Sequence, residues 1–266
     1  MRGRVDRRWR TPAGAGPATV LAAMVALVVI GPFAAPNDPM ASLSTAYLAA
    51  GGEFPLGTDN LGRDVLSRVL AGGWPVLVLP AVAVTISTSV GVAVGLTLVA
   101  GPRRGRRTGQ VLDLLLVLPP VLVLVILAFV LGPGVGTLLI IITVLSAPFT
   151  ARQVRALADP LLDTGFVHIA LTEGHNRGTV VLREVLPNIR GPVLADAGNR
   201  LVGAVYLVAS ASFLGISPLP GSTDWASMVA AALGGIMLNP AAVLAPALAI
   251  GLVTVPVNLL VDRAAR

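Results

Sequence analysis

Few residues in this 266-residue chain have the types and spacing to do chemistry. His168, Glu173 and His175 lie close together, and imidazole with carboxylate is a ligand set for a borderline metal. The seven-residue gap between the two histidines straddles an expected turn at Gly174, so no metal is assigned. Asp196 and Arg200 are spaced i,i+4, which pairs them on one helix face. What is missing excludes more. All 19 basic residues are Arg, so the nucleotide-binding pattern G-x-x-x-x-G-K-[ST] cannot occur. Without Cys there is no disulfide, thiolate metal site or cysteine nucleophile. No nucleophile and base stand together inside an apolar stretch, so no catalytic residue is assigned.

The elements that must position these groups belong to a membrane. Hydrophobic residues make up 55% of the chain and charged ones 12%, half the proportion of about 25% usual in soluble domains. Mean hydropathy is +0.85. No charge lies between Arg10 and Asp38, Arg68 and Arg103, Asp113 and Arg152, Arg200 and Asp224, or Asp224 and Asp262. Each gap holds at least one stretch of roughly 20 apolar residues, enough to span a bilayer. An all-α, multi-span protein is expected, with an Arg-rich head (1–16) and a first transmembrane helix (17–35) read as a retained anchor. A polar segment (36–75) separates it from a core (76–261) with spans at 76–100, 111–131, 137–151, 193–214 and 241–261, then a short tail (262–266). The pI near 11.3 reflects topogenic Arg and not a nucleic-acid partner. Placing the N-terminus inside puts sixteen of the 19 Arg in the cytoplasm, so both termini are expected there. At the cytoplasmic end of the fifth span, Asp196 and Arg200 read as a structural pair or headgroup contact, against a functional intramembrane pair.

Two polar stretches interrupt the spans. In the outer one, Pro55 to Arg68 reads P-L-G-T-D-N-L-G-R-D-V-L-S-R. Thr58 or Asp59 can cap a helix with an apolar stripe of Leu61, Val65, Leu66, Val69 and Leu70. Asp64 and Arg68 are expected to pair, and Gly72 stops the helix. It is either an interfacial amphipathic helix or a gate or docking ledge for an external partner. In the inner stretch, 152–190, a helix is expected over Gly165 to Glu173, ending in a left-handed turn at Gly174. A second helix from about Asn176 should stop at Pro187. A helix-Gly-helix projecting from a bundle suits insertion into a groove on another protein.

These two stretches carry a family resemblance. The inner one resembles the EAA loop of ABC-importer permeases: with Gly on Gly174, the leucine-proline pair falls on Leu186-Pro187 and the third position on Ala170. His168 replaces the usual Glu, Ile169 an Ala, and Glu184 an Ile. The outer one resembles the signature of the C-type permease subunit of dipeptide, oligopeptide and nickel importers, through Gly57, Thr58, Asp59, Gly62, Arg63, Asp64 and Arg68. Further matches are Asp113 with Pro119, Ser212-Phe213-Leu214-Gly215, Pro218, Pro220, Trp225, Met228, and Asn258-Leu259-Leu260 with Asp262.

The resemblance implies a type I ABC-importer permease with a six-span core in a bacterial plasma membrane. Its implied partners are a homologous B-type permease, two cytoplasmic ATPase domains and an extracytoplasmic substrate-binding protein. ATP and magnesium would belong to the ATPases, with no cofactor on this chain and no enzymatic activity of its own. Coupling to the ATPases would run through Phe166, His168, Ile169, Ala170, Gly174, His175, Arg177, Leu186 and Pro187. Because neutral His cannot replace a Glu charge, packing by Ile169, Phe166 and Ala170 is expected to carry more of that interface. Peptides are the expected cargo, with nickel, haem or another small solute as alternatives. An ion-coupled secondary transporter is the rival from another class, but such proteins place ionisable residues near the midplane, and apart from Asp113 at the edge of the third span the spans here hold only Asp196 and Arg200 near one end.

Overall fold

The computed structural model describes residues 12–216 and 223–265; the head up to Thr11, Pro218 and Pro220 lie outside the described residues. Its helices are α1 (Pro12–Ala34), α2 (Val65–Ala71), α3 (Trp74–Ala100), α4 (Pro102–Val117), α5 (Pro120–Leu131), α6 (Val135–Leu162), α7 (Gly165–Thr172), α8 (Arg177–Val180), α9 (Leu186–Phe213), α10 (Trp225–Ala232) and α11 (Ala241–Ala265). A π turn, Val181–Val185, joins α8 to α9, and a 3-10 turn, Leu233–Gly235, follows α10. Among the described residues there is no β-strand, only three isolated bridges.

Four stretches are long and apolar enough to cross a membrane: Gly16–Ala34, Val65–Ala100, Val135–Leu162 and Ala241–Leu260. The bent pair of α4 and α5 brings the count to five. Side chains such as Phe33, Phe129 and Val130 are well exposed along these helices, as lipid-facing residues are. The expected fifth span lies almost wholly on α9, which has 28 residues but carries Arg190, Asp196 and Arg200 among its first fifteen.

Three expectations need correction. The single span over 111–131 is broken, with α4 and α5 meeting at 98°. Leu118 and Pro119 each precede a proline, and that ring pushes its predecessor out of the helical region; their ψ angles are 131° and 125°. The helix that carries the fourth span does not stop at Ala151: α6 continues to Leu162 through Pro148 and Pro160. Nor does Pro187 stop a helix. The π turn just before it closes with Leu186 N–H on Val181 O, and such a widened turn accommodates a proline that has no N–H to donate.

The described residues form two units. In the first, α1 packs on α2 and α11, and α10 packs on α11. Its core gathers Val28, Val65, Val76, Trp225, Met228 and Val253. Trp225 is fully buried, and its indole N–H donates to Val69 O at 2.7 Å. The second unit holds α3 from Ala81, α4 to α8 and α9 to Ala204. There Gly91 and Gly95 let α3 lie tightly on α6. A Cβ on Gly91 would sit 2.5 Å from Thr150 Cβ, and one on Gly95 would sit 2.7 Å from Val154 Cβ. Small residues four apart are a standard means of close helix approach in lipid.

Candidate functional site

The segment between α1 and α3 is organised by Asp59. One carboxylate oxygen accepts the backbone N–H groups of Leu61 (2.8 Å) and Arg63 (3.0 Å). The other accepts Arg63 Nε at 2.8 Å and a guanidinium N–H of Arg68. Asp59 and Arg68 are each 4% exposed. Burial pulls the Asp59 carboxyl upward, but the Arg63 and Leu61 amides and the Arg68 charge outweigh it and hold it below the usual carboxylate range. Gly57 and Gly62, at φ +69° and +72°, make the turns around this acid. A Cβ on either would lie 2.2 Å or less from a backbone oxygen of Leu48 or Ser44, so only glycine fits.

Asp64, not Thr58 or Asp59, caps α2. Its carboxylate accepts the N–H groups of Leu66 and Ser67, the Ser67 hydroxyl at 2.6 Å and the Asn37 amide at 3.1 Å. A carboxylate so engaged is unavailable to Arg68, which turns to Asp59. Thr58 instead ties its own loop, donating to Thr45 O at 2.7 Å and accepting Leu48 N–H at 2.8 Å. Gly72 ends the helix as expected, its N–H on Arg68 O at 2.9 Å. The interfacial-helix reading fails on burial: Val65 and Ser67 are fully buried and Leu61, outside the helix, is 56% exposed. Asn239 was not legible as a site residue, yet its amide donates to both Leu56 O and Thr58 O at 3.0 Å. Its one sequence signal is the turn-forming Asn239-Pro240 pair.

The second polar stretch forms an elbow. α7 ends at Gly174, φ +91°, where Gly174 N–H bonds Leu171 O and His175 N–H bonds Ala170 O, both at 3.2 Å. This is a Schellman closure. Asn176 then starts α8 by accepting Thr179 N–H at 2.8 Å. Val167, Ala170, Val180, Val181 and Val185 face inward, onto Leu96, Val154 and Ala158. His168, Ile169, Gly174, His175, Arg177 and Pro187 are exposed, with Ile169 at 59%, and Leu186 is half-buried. Ala170 is therefore part of the elbow's own core and offers nothing outward, contrary to its expected share in partner packing. The Phe166 side chain lies outside the described residues.

Beside the elbow, within the second unit, α3, the π turn and α9 line an apolar groove of about 830 Å³ that includes Thr85, Thr88, Ser89, Leu186 and Arg190. Thr85 and Ser89 hydroxyls are bonded to carbonyls one turn back, as are Ser87 and Thr143 elsewhere. The buried Thr88 hydroxyl has no partner among the described residues. Asp196 and Arg200 pair as expected, and the Arg200 guanidinium lies 5.2 Å from the centre of the Phe149 ring, a cation–π distance.

A family model described as the binding-protein-dependent transport system inner membrane component matches residues 87–266. The chain belongs to this family. Within this inner-membrane-component family, a putative peptide permease protein of Brucella abortus is 32% identical over 69% of the chain, and the chain spans 61% of that relative's length. The di/tripeptide transport system permease protein DppC of Pseudomonas aeruginosa is 31% identical over 90% of the chain and 82% of its own. The glutathione transport system permease protein GsiD of Pectobacterium atrosepticum is 29% identical, covering 78% and 69%. Among solved structures, an inward-facing form of the MetNI methionine ABC transporter aligns with a TM-score of 0.55 at 18% identity, over 71% of this chain and 91% of that one. That likeness concerns the fold alone, the type I permease fold expected from the two polar stretches.

Proposed function

We propose that this chain is the transmembrane permease subunit of an ATP-driven, binding-protein-dependent importer of di- and oligopeptides. The similarity to a di/tripeptide permease over 90% of the chain supports the cargo and carries the reading. The chain has no Lys and hence no P-loop, so ATP hydrolysis belongs to separate subunits. Both termini and the elbow face the cytoplasm, following the Arg distribution, and the Asp59 segment faces outward, towards the binding protein. A homologous B-type permease completes the pathway.

The elbow transmits motion in this reading. Two ATPase domains closing on ATP carry their grooves with them, and a peg seated in one groove moves the helices it joins. α7 and α8 suit that task because their inner faces are packed onto α3 and α6 while Ile169, His168 and His175 stand outward. Proteoliposomes holding the assembled complex should take up labelled dipeptide only with ATP and the binding protein. Uptake by liposomes containing this chain alone would overturn the reading. Within the complex, Ile169→Asp should uncouple ATPase activity from transport while His168→Ala leaves most coupling in place, and the reverse result would refute docking by packing.

A further inference from the structure

The break turns α4 away from the line of α5, and the composition of α4 points to a role other than crossing the membrane. Arg103, Arg104, Arg106 and Arg107 fall within its first six residues, and its single acid is Asp113. That acid is already engaged, 3.4 Å from Arg152 Nε of α6. Further along, Leu112 is buried against Leu98 and Ala151, whereas Val111, Leu114, Val117 and Leu118 are exposed. The helix therefore has a basic start, one packed position and an open apolar flank, and it leaves α5 at 98°. A helix of that make, turned across a span, belongs in the plane of the headgroups with its apolar flank in the acyl boundary. Clustered Arg at such a site attract anionic headgroups.

We infer that α4 is an interfacial helix that recruits anionic phospholipid to this protein, in place of forming the first half of a transmembrane span. The inference requires only that the chain is embedded in a bilayer and is independent of the importer assignment and its cargo.

The chain has no Cys, so Leu114→Cys gives a unique attachment point for a fluorophore in the full-length protein. In nanodiscs of equimolar phosphatidylcholine and phosphatidylglycerol, energy transfer to headgroup-dyed phosphatidylglycerol should exceed that to dyed phosphatidylcholine by about five-fold. High salt should lower the ratio towards one, as should Arg103, Arg104, Arg106 and Arg107 all replaced by Gln. Nitroxide lipids should quench the fluorophore from the headgroup region more than from mid-chain. Equal transfer from the two lipids would overturn the inference even if the four-Gln variant fails to fold. So would strongest quenching at the bilayer midplane, the mark of a straight span, or no contact with either lipid, the mark of a protein partner covering α4.

Discussion

Asp59 is the residue whose removal should be felt most. It is the carboxylate that neutralises Arg68, which is 4% exposed. Asp59→Asn therefore removes the hydrogen-bonded counter-ion of a buried cation and leaves it only the longer-range attraction of Asp224, a change that destabilises by about 3 kcal/mol. Arg63→Gln, removing a partner at the rim of the same group, should lower stability by about 1 kcal/mol. Thermal unfolding of the two purified variants checks the ranking. The acid dependence follows from the direction of the shift. The folded carboxyl lies below its ordinary value of 3.8. Its contribution is complete above that value and is lost as pH falls through the lowered one. A melting temperature that falls on acidification below pH 3.8 in the native protein, with a smaller fall in Asp59→Asn, is the expected result.

At the scale of elements, two glycine devices set geometry by opposite means. Gly95 on α3 works by absence of bulk: Val154 Cβ lies 2.7 Å from where its own Cβ would be. Gly95→Leu must push α3 and α6 apart, and we expect a loss of 2 kcal/mol or more, about the scale of an overpacked core, read as early loss of monodispersity on heating. Gly174 works by backbone freedom, since at φ +91° a Cβ would meet nothing within 4 Å. Gly174→Ala should thus destabilise only by about 1 kcal/mol of left-handed strain. Its effect should appear chiefly as weakened coupling between ATPase activity and transport in the assembled complex, with expression and melting little changed. The π turn before Pro187 is the third device. It joins α8 to α9 with no loop between them, the continuity that a displacement at the elbow would need to reach Ala197 beside the groove.

For the whole molecule, the contrast between long apolar helices and two polar stretches is the organising fact. Hydroxyls within the helices mostly return to their own backbone, as at Thr85, Ser87, Ser89, Thr143 and Thr254, which leaves the walls chemically quiet. Thr88 is the exception in the groove. Thr88→Val, which swaps that buried, unpartnered hydroxyl for a methyl of the same shape, should raise the melting temperature slightly, whereas Ser89→Ala should leave it unchanged; thermal unfolding of the purified variants checks this. A wall that offers few fixed polar contacts suits cargo chosen beforehand by another protein.

Composition and the positions of Arg were sufficient for a helical, multi-span chain, because solvent by lipid imposes long uncharged runs and helices that satisfy their own backbone. The turn at Gly174 and the stop at Gly72 were also legible, since left-handed and chain-terminating positions favour glycine locally. Partner choice was not. Whether Arg68 meets Asp64 or Asp59 depended on Asn37 and Ser67 occupying Asp64 first, and Asn239 reaches Thr58 from 181 residues away. The break between α4 and α5 was written in Pro119-Pro120, but a proline in an apolar run can kink a span or end it. The inward face of Ala170 likewise followed from packing against α3 and α6 and from no local pattern. Burial and ion pairing are settled by what arrives from distant parts of the chain, so tertiary structure alone decided them.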